Sequence, residues 1–164
     1  MYKRQDKYYS GPAVTVGAGV LGYEVLEAAH AEGLTVVSGE CATVGLAGGF
    51  TQGGGHSALS TTFGLGADQT LSFEVVTAQG DIVTASATEN SDLYWALSGG
   101  GGGTYGVVIS MTVRAYNSKT VGGAAMQLLA SSVTPEQFTA AVSKFHELMP
   151  AMVCLLYTSP SPRD

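Results

Sequence analysis

Residues 39–66 place nine glycines in 28 positions, and no other feature of the chain constrains its fold as much. Glycine at that density usually means a flexible linker, but Val44, Leu46, Phe50, Leu59, Phe63 and Leu65 interrupt it, and Gly/Ser linkers carry no such side chains. The segment reads instead as backbone packed close against something, where a Cβ would intrude. A second run, 99–103, leads through Thr104, Tyr105 and Gly106 into an alternating stretch in which Val107, Ile109, Met111 and Val113 are expected to share one face of a strand.

Ahead of the first glycine segment, Gly17, Gly19 and Gly22 spell G-x-G-x-x-G between a β-branched run and an amphipathic stretch, and Glu40 follows Gly22 by 18 residues. That is the pattern of a nucleotide pyrophosphate at a helix N-terminus with an acidic residue on the ribose. A tight turn feeding any closely packed helix needs the same glycines, so the motif leaves both readings open. Around it, 13–16 reads as a strand, and Leu21, Val25, Ala28 and Ala29 form an apolar stripe opposite Glu24, Glu27 and Glu32. With a further strand at 34–37, these elements make one βαβ-like unit.

Beyond residue 66, Leu71, Phe73 and Val75 alternate with Ser72 and Glu74, the turn "AQGD" follows, and 82–85 returns as the second arm of a hairpin. A short helix is expected over 91–97 and a strand over 126–129. Thr134-Pro135-Glu136-Gln137 is a capping box with proline at the first helical position, announcing a helix that turns Phe138, Val142 and Phe145 inward. A hairpin in place of successive βα units argues against a doubly wound sheet and for an α+β fold.

The two ends share nothing with this apolar middle. Tyr2-Lys3-Arg4-Gln5 can be encoded by TAT AAG AGA CAG, and the reverse complement, read one base out of phase, yields Cys154-Leu155-Leu156 and continues naturally into Tyr157 to Asp164. The ends resemble one sequencing-library adapter read from opposite strands. Residues 1–5 and 154–164 are therefore expected to be non-native, and 6–153 an internal part of a longer protein. The formal charge, −6 over the whole chain, becomes −8 over 6–153, with 4 basic residues against 12 acidic. That balance argues against a nucleic-acid or anionic-membrane surface. No apolar run reaches the roughly 18 residues of a membrane span. Cys41 is then the single native cysteine, so no internal disulfide forms, and no Cys/His spacing suits a structural metal.

"GECATVGLAGGFTQGGGHSALSTTFGLGADQ" (39–69) and "ENSDLYWALSGGGGGTYGVVISMTV" (89–113) resemble, in the right order, two signatures of the berberine-bridge-enzyme-like flavoproteins of the vanillyl-alcohol-oxidase superfamily. The resemblance implies the second lobe of a PCMH-type FAD-binding domain over 6–120 and the start of a substrate domain over 121–153. It makes the Gly17–Gly22 turn a strand-to-helix turn of that domain. FAD is the implied cofactor, lined by Gly45, Gly48, Gly49, Gly53, Gly54 and Gly55 and closed over by the loop reaching Gly106 and Val108. Loop N–H groups can hold its pyrophosphate without a lysine.

The same resemblance makes Cys41 the cysteine that forms a thioether at the flavin 6 position, beside an 8α histidine link from upstream. Lone cysteines are otherwise commonly buried and inert. Val44 matches the small residue associated with access of oxygen to the reduced ring. Phe50 stands where many members have histidine in "GGH", and Ala42 replaces a common proline. The implied activity is oxidation of an alcohol or sugar, with electrons passing to O2 and peroxide as product, in a secreted protein. The catalytic base belongs beyond residue 153, so no catalytic residue is assigned here. An FAD dehydrogenase with another acceptor and a non-catalytic dinucleotide-binding module remain alternatives. His56 is read as structural or near the ribityl chain, His30 and His146 as solvated, and Asp68 as a brace for the turn before the hairpin.

Overall fold

The computed structural model describes residues 2–5, 8–122 and 125–156. The chain divides into two compact units, Met1–Lys119 and Thr120–Asp164.

The first unit is built on a five-stranded antiparallel sheet in the order β1-β2-β6-β4-β5. Its strands are β1 Tyr2–Gln5, β2 Ser10–Gly17, β4 Thr70–Val76, β5 Ile82–Ser86 and β6 Val107–Arg114. Alternation sends Val14 and Val16 of β2, Phe73 and Val75 of β4, Ala85 of β5 and Met111 and Val113 of β6 into one core. Helix α1 (Gly22–Ala31) adds Val25 and Ala29, α3 (Ser91–Leu97) adds Leu97, and the glycine segment adds Leu46 and Ala47. The hairpin β4–β5 and helix α3 stand where the alternation and turn residues put them. The first glycine segment also contains the short helix α2 (Ser60–Phe63).

Several expectations need correction. First, β3 (Leu34–Thr35) does not complete a βαβ unit. It pairs antiparallel with β7 (Tyr116–Asn117) in a separate two-stranded sheet. Leu34–Thr35 takes its backbone partners from Tyr116–Asn117, just past β6, while β2 pairs antiparallel with β6. Second, Ala28 lies on the exposed side of α1, and the half-buried Leu26 packs on the core instead.

Third, the inward face of β6 is not Val107, Ile109, Met111 and Val113. Glu74 pairs with Ser110 but Val75 with Val108, so the register shifts there and Ile109 is the extra residue. A bulge inverts the alternation on one side of itself. Val108 is therefore 6% exposed and Val107 65% exposed. Fourth, 126–129 is not a strand, and Met126, Leu128 and Leu129 are exposed. An extended segment without a partner to complete its backbone ladder is not a strand.

In the second unit α4 spans Pro135–Leu156 and starts on the expected box. Thr134 N–H donates to Gln137 Oε1 at 3.0 Å, and Gln137 N–H donates to Thr134 Oγ1 at 3.3 Å. Its apolar side chains are not covered as expected: Phe138 is half-buried, whereas Val142 and Phe145 are exposed.

Candidate cofactor site

The turn between β2 and α1 shows which meaning its glycines have. A dinucleotide pyrophosphate would need the first N–H groups of α1. Gly22 N–H donates to Val44 O at 2.8 Å and Tyr23 N–H to Ala42 O at 3.0 Å, while Leu21 N–H donates to Glu24 Oε2 at 2.8 Å. Two of those donors are spent on the chain's own 42–44 loop and the third on the Glu24 carboxylate. A Cβ on Gly22 would stand 2.9 Å from Ser38 Oγ and 3.4 Å from Val44 O, whereas one at Gly17 or Gly19 would meet nothing within 4 Å. The motif is a packing device that seats the second loop on the helix.

That seating positions Cys41 and Val44. Val44 N–H closes a turn on Cys41 O at 3.2 Å, and Leu46 N–H donates to Val20 O at 3.2 Å. With its backbone engaged on both sides, the loop leaves the Cys41 thiol exposed and Val44 41% exposed. An exposed thiol on an ordered loop is available to react, unlike a core cysteine.

Past Gly45 the chain makes a helical turn, Leu46–Phe50. Thr51 Oγ1 donates to Leu46 O at 2.7 Å and Gln52 Nε2 to Ala47 O at 3.0 Å, which fixes the turn from beneath. A Cβ on Gly48 or Gly49 would meet nothing within 4 Å, so these two residues present bare backbone to open space. The second glycine run meets the first here. Gly101 N–H donates to Gln52 O at 2.8 Å, and a Cβ on Gly102 would lie 3.4 Å from Gly49 Cα.

The other expected site glycines have structural reasons of their own. Gly54 and Gly55 take positive φ, +105° and +77°, and their carbonyls accept from Ala67 and Gly66 at 3.0 and 2.7 Å. A Cβ on Gly53 would stand 2.7 Å from Gly49 O, and one on Gly106 2.6 Å from Val75 Cγ1. Gly45 lies against the carbonyls of Ala18 and Val20. Val108 has its side chain in the core, so only its backbone is available to a ligand. The structure thus brings Gly49, Gln52 and 101–102 together, and ties Cys41–Gly45 to the turn before α1.

Gln52 escaped the sequence reading. It is 4% exposed, and its Oε1 has no hydrogen-bond partner. The available signal was a polar residue set directly before three glycines. Of the titratable residues, Asp68 braces its turn by accepting from Leu65 N–H at 2.8 Å, and His30, His56 and His146 are exposed. The described residues hold no group of three or more His, Cys, Asp or Glu side chains able to bind a metal, and no described helix is long and apolar enough to cross a membrane. Neither glycine loop contains a lysine or arginine, so an anion here would be held by backbone N–H groups.

Bare backbone at Gly48 and Gly49, a buried acceptor lacking a donor, and an exposed thiol on the adjoining loop fit a large polar cofactor with hydroxyl and imide donors. They rest on an antiparallel sheet, and the family comparison names the cofactor. Residues 7–86 match the FAD binding domain family. The chain is 55% identical over 148 residues to FAD-linked oxidoreductase ZEB1 of Gibberella zeae, covering 90% of this chain and 26% of that protein. It is 52% identical over 143 residues to the VAO-type flavoprotein oxidase VAO615 of Thermothelomyces thermophilus, covering 87% of this chain and 25% of that protein.

Among solved structures, the VAO-type flavoprotein MtVAO615 of Myceliophthora thermophila superposes with a TM-score of 0.70 at 54% identity, over 71% of this chain and 21% of that one. A glucooligosaccharide oxidase of Acremonium strictum gives 0.59 at 38%, over 64% of this chain and 22% of that one. The chain belongs to the vanillyl-alcohol-oxidase superfamily of FAD-linked oxidoreductases, and it spans about a quarter of the length of most of the curated relatives it matches.

Proposed function

We propose that the whole protein is an FAD-linked oxidase that converts an alcohol or carbohydrate C–OH to a carbonyl. The two protons and two electrons removed from the substrate end on O2 as H2O2, so the equation balances without another co-reactant. FAD supplies the redox chemistry, and the protein's part is binding, orientation and electrostatics. The observation that carries this reading is the meeting of the two glycine loops at Gly49 and Gly102, with Cys41 and Val44 exposed on the first of them.

In this reading the backbones of Gly45, Gly48, Gly49, Gly53, Gly54 and Gly55 line the flavin, and the loop through Gly106 and Val108 closes over it. Cys41 Sγ forms the covalent link, and the short Val44 side chain leaves room for O2. Residues 6–120 belong to the FAD-binding domain and 121–153 begin the substrate domain, where the catalytic base lies past residue 153. The carbohydrate alternative is supported by two oxidases among the structural relatives, one acting on glucooligosaccharides and one described as a carbohydrate oxidase.

The test begins with the genomic sequence around 6–153. Codons for Cys154 to Asp164 running on uninterrupted from Val153 would overturn the adapter reading of the ends. The full-length protein, expressed from the recovered gene, should be yellow and should form peroxide with a member of an alcohol and sugar panel. Flavin reduction by substrate followed by no oxygen uptake would assign a dehydrogenase instead. Protein without flavin would sink the oxidase reading altogether.

A further inference from the structure

Every polar group in the turn beneath Gly48 and Gly49 for which a bond is recorded is tied inward, and the Oε1 of Gln52 stands out against them. Gln52 Nε2 donates to Ala47 O at 3.0 Å, and that bond fixes the orientation of the amide, because a flip would set two acceptor oxygens against each other. The backbone carbonyl of the same residue accepts from Gly101 N–H. Oε1 is left without a donor on a residue 4% exposed. Burying an unpaired amide oxygen is unfavourable, and native structures rarely keep one without a reason. Two further orphan atoms, Thr77 Oγ1 and Arg114 Nε, lie outside the two glycine runs.

We propose that Gln52 is an FAD-binding residue whose Oε1 accepts a hydrogen bond from the flavin half of the cofactor, either the ring imide N–H or a ribityl hydroxyl. An amide oxygen repels a phosphate, so the pyrophosphate is excluded as its partner. The flavin half is chosen because the loop that continues into Gln52 carries Cys41, and this step rests on the reading that Cys41 meets the ring. Gln52 would then act as a sensor of assembly. Its backbone holds the second glycine loop through Gly101, and its side chain is satisfied only when the cofactor is in place.

The experiment uses apoprotein of the full-length chain made in riboflavin-starved cells, with FAD uptake read by flavin fluorescence quenching before any covalent step. Gln52→Met removes the acceptor and the donor at nearly constant shape. Gln52→Glu, protonated in this buried setting, restores both, with O–H toward Ala47 and a carbonyl oxygen in place of Oε1. Expected is roughly tenfold weaker uptake by Gln52→Met, the loss of about one hydrogen bond, with Gln52→Glu within about twofold of wild type.

Equal weakening in both variants, although Gln52→Glu keeps an acceptor in the place of Oε1, would overturn the proposal, as would unchanged uptake by Gln52→Met. Wild-type protein that takes up no FAD would instead remove the cofactor reading on which the proposal stands. FAD methylated at the imide nitrogen separates the two donors. If the difference between wild type and Gln52→Met disappears with that analogue, the partner is the imide; if it persists, the imide is excluded as the partner.

Discussion

Tyr116 donates its hydroxyl to Gln69 Oε1 across 2.5 Å, while its ring stacks on Phe63 with centroids 4.0 Å apart. Gln69 is fully buried, and its Nε2 donates to Phe63 O and Leu65 O at 2.6 and 3.0 Å. One amide thus closes the end of the first glycine segment onto β7. Tyr116→Phe keeps the stack but leaves Gln69 Oε1 without a donor, which should lower stability by about 1–3 kcal/mol. Urea unfolding of the two proteins checks this, and an unchanged midpoint would show that the bond contributes nothing.

The same tyrosine sets an alkaline limit. Burial pushes the Tyr116 phenol above its ordinary pKa, and the nearby Arg114 offsets only part of that rise. The fold therefore favours the neutral phenol. Its contribution is fully present below the unfolded-state value of about 10 and is lost as pH rises through the folded-state value. Tyr9 is shifted the same way, by burial first and by Tyr116 second. Stability should fall across that alkaline window, and less steeply in Tyr116→Phe, which retains only the Tyr9 part. Denaturation midpoints measured alongside tyrosinate absorbance would expose the error if the two proteins declined in parallel.

Glycines that look alike in the sequence should respond differently to a methyl group. A Cβ at Gly106, the residue just before β6, would lie 2.6 Å from Val75 Cγ1 and 2.9 Å from Val76 O. Gly106→Ala forces strands apart and should cost about 1–3 kcal/mol, the usual range for overpacking. Gly17→Ala meets nothing within 4 Å and has no positive φ to strain, so its stability should be unchanged or slightly raised. Comparable losses in both would contradict the packing account.

What the sequence made legible was local. The β4–β5 hairpin, α3 and the capping box of α4 follow from neighbouring residues, and each appears where those residues put it. The two glycine signatures identified the cofactor domain because their length and order are hard to meet by chance. What failed was set by partners far away in the chain. No periodicity in 107–113 reveals a bulge imposed by pairing with β4, and no glycine spacing reveals that the α1 N-terminus is filled by Ala42 and Val44 carbonyls. Gln52 was illegible for the same reason, since an orphan acceptor is known only when all of its neighbours are placed.

Cys41 offers the sharpest test of the covalent reading. Its thiol is exposed, and its backbone carbonyl is held by Val44 N–H at 3.2 Å, so the sulfur sits on a fixed loop next to the glycines of the proposed flavin site. A thiolate is the form that attacks an electron-poor ring carbon. Full-length protein should therefore keep flavin after denaturation, and proteolytic mapping should find flavin mass on the peptide containing Cys41. Cys41→Ala should carry no flavin mass on that peptide, with a lower redox potential and slower reduction by substrate. A native peptide with an unmodified Cys41 thiol, in protein whose flavin stays attached elsewhere, would remove the cysteinyl link while leaving the FAD-binding domain in place.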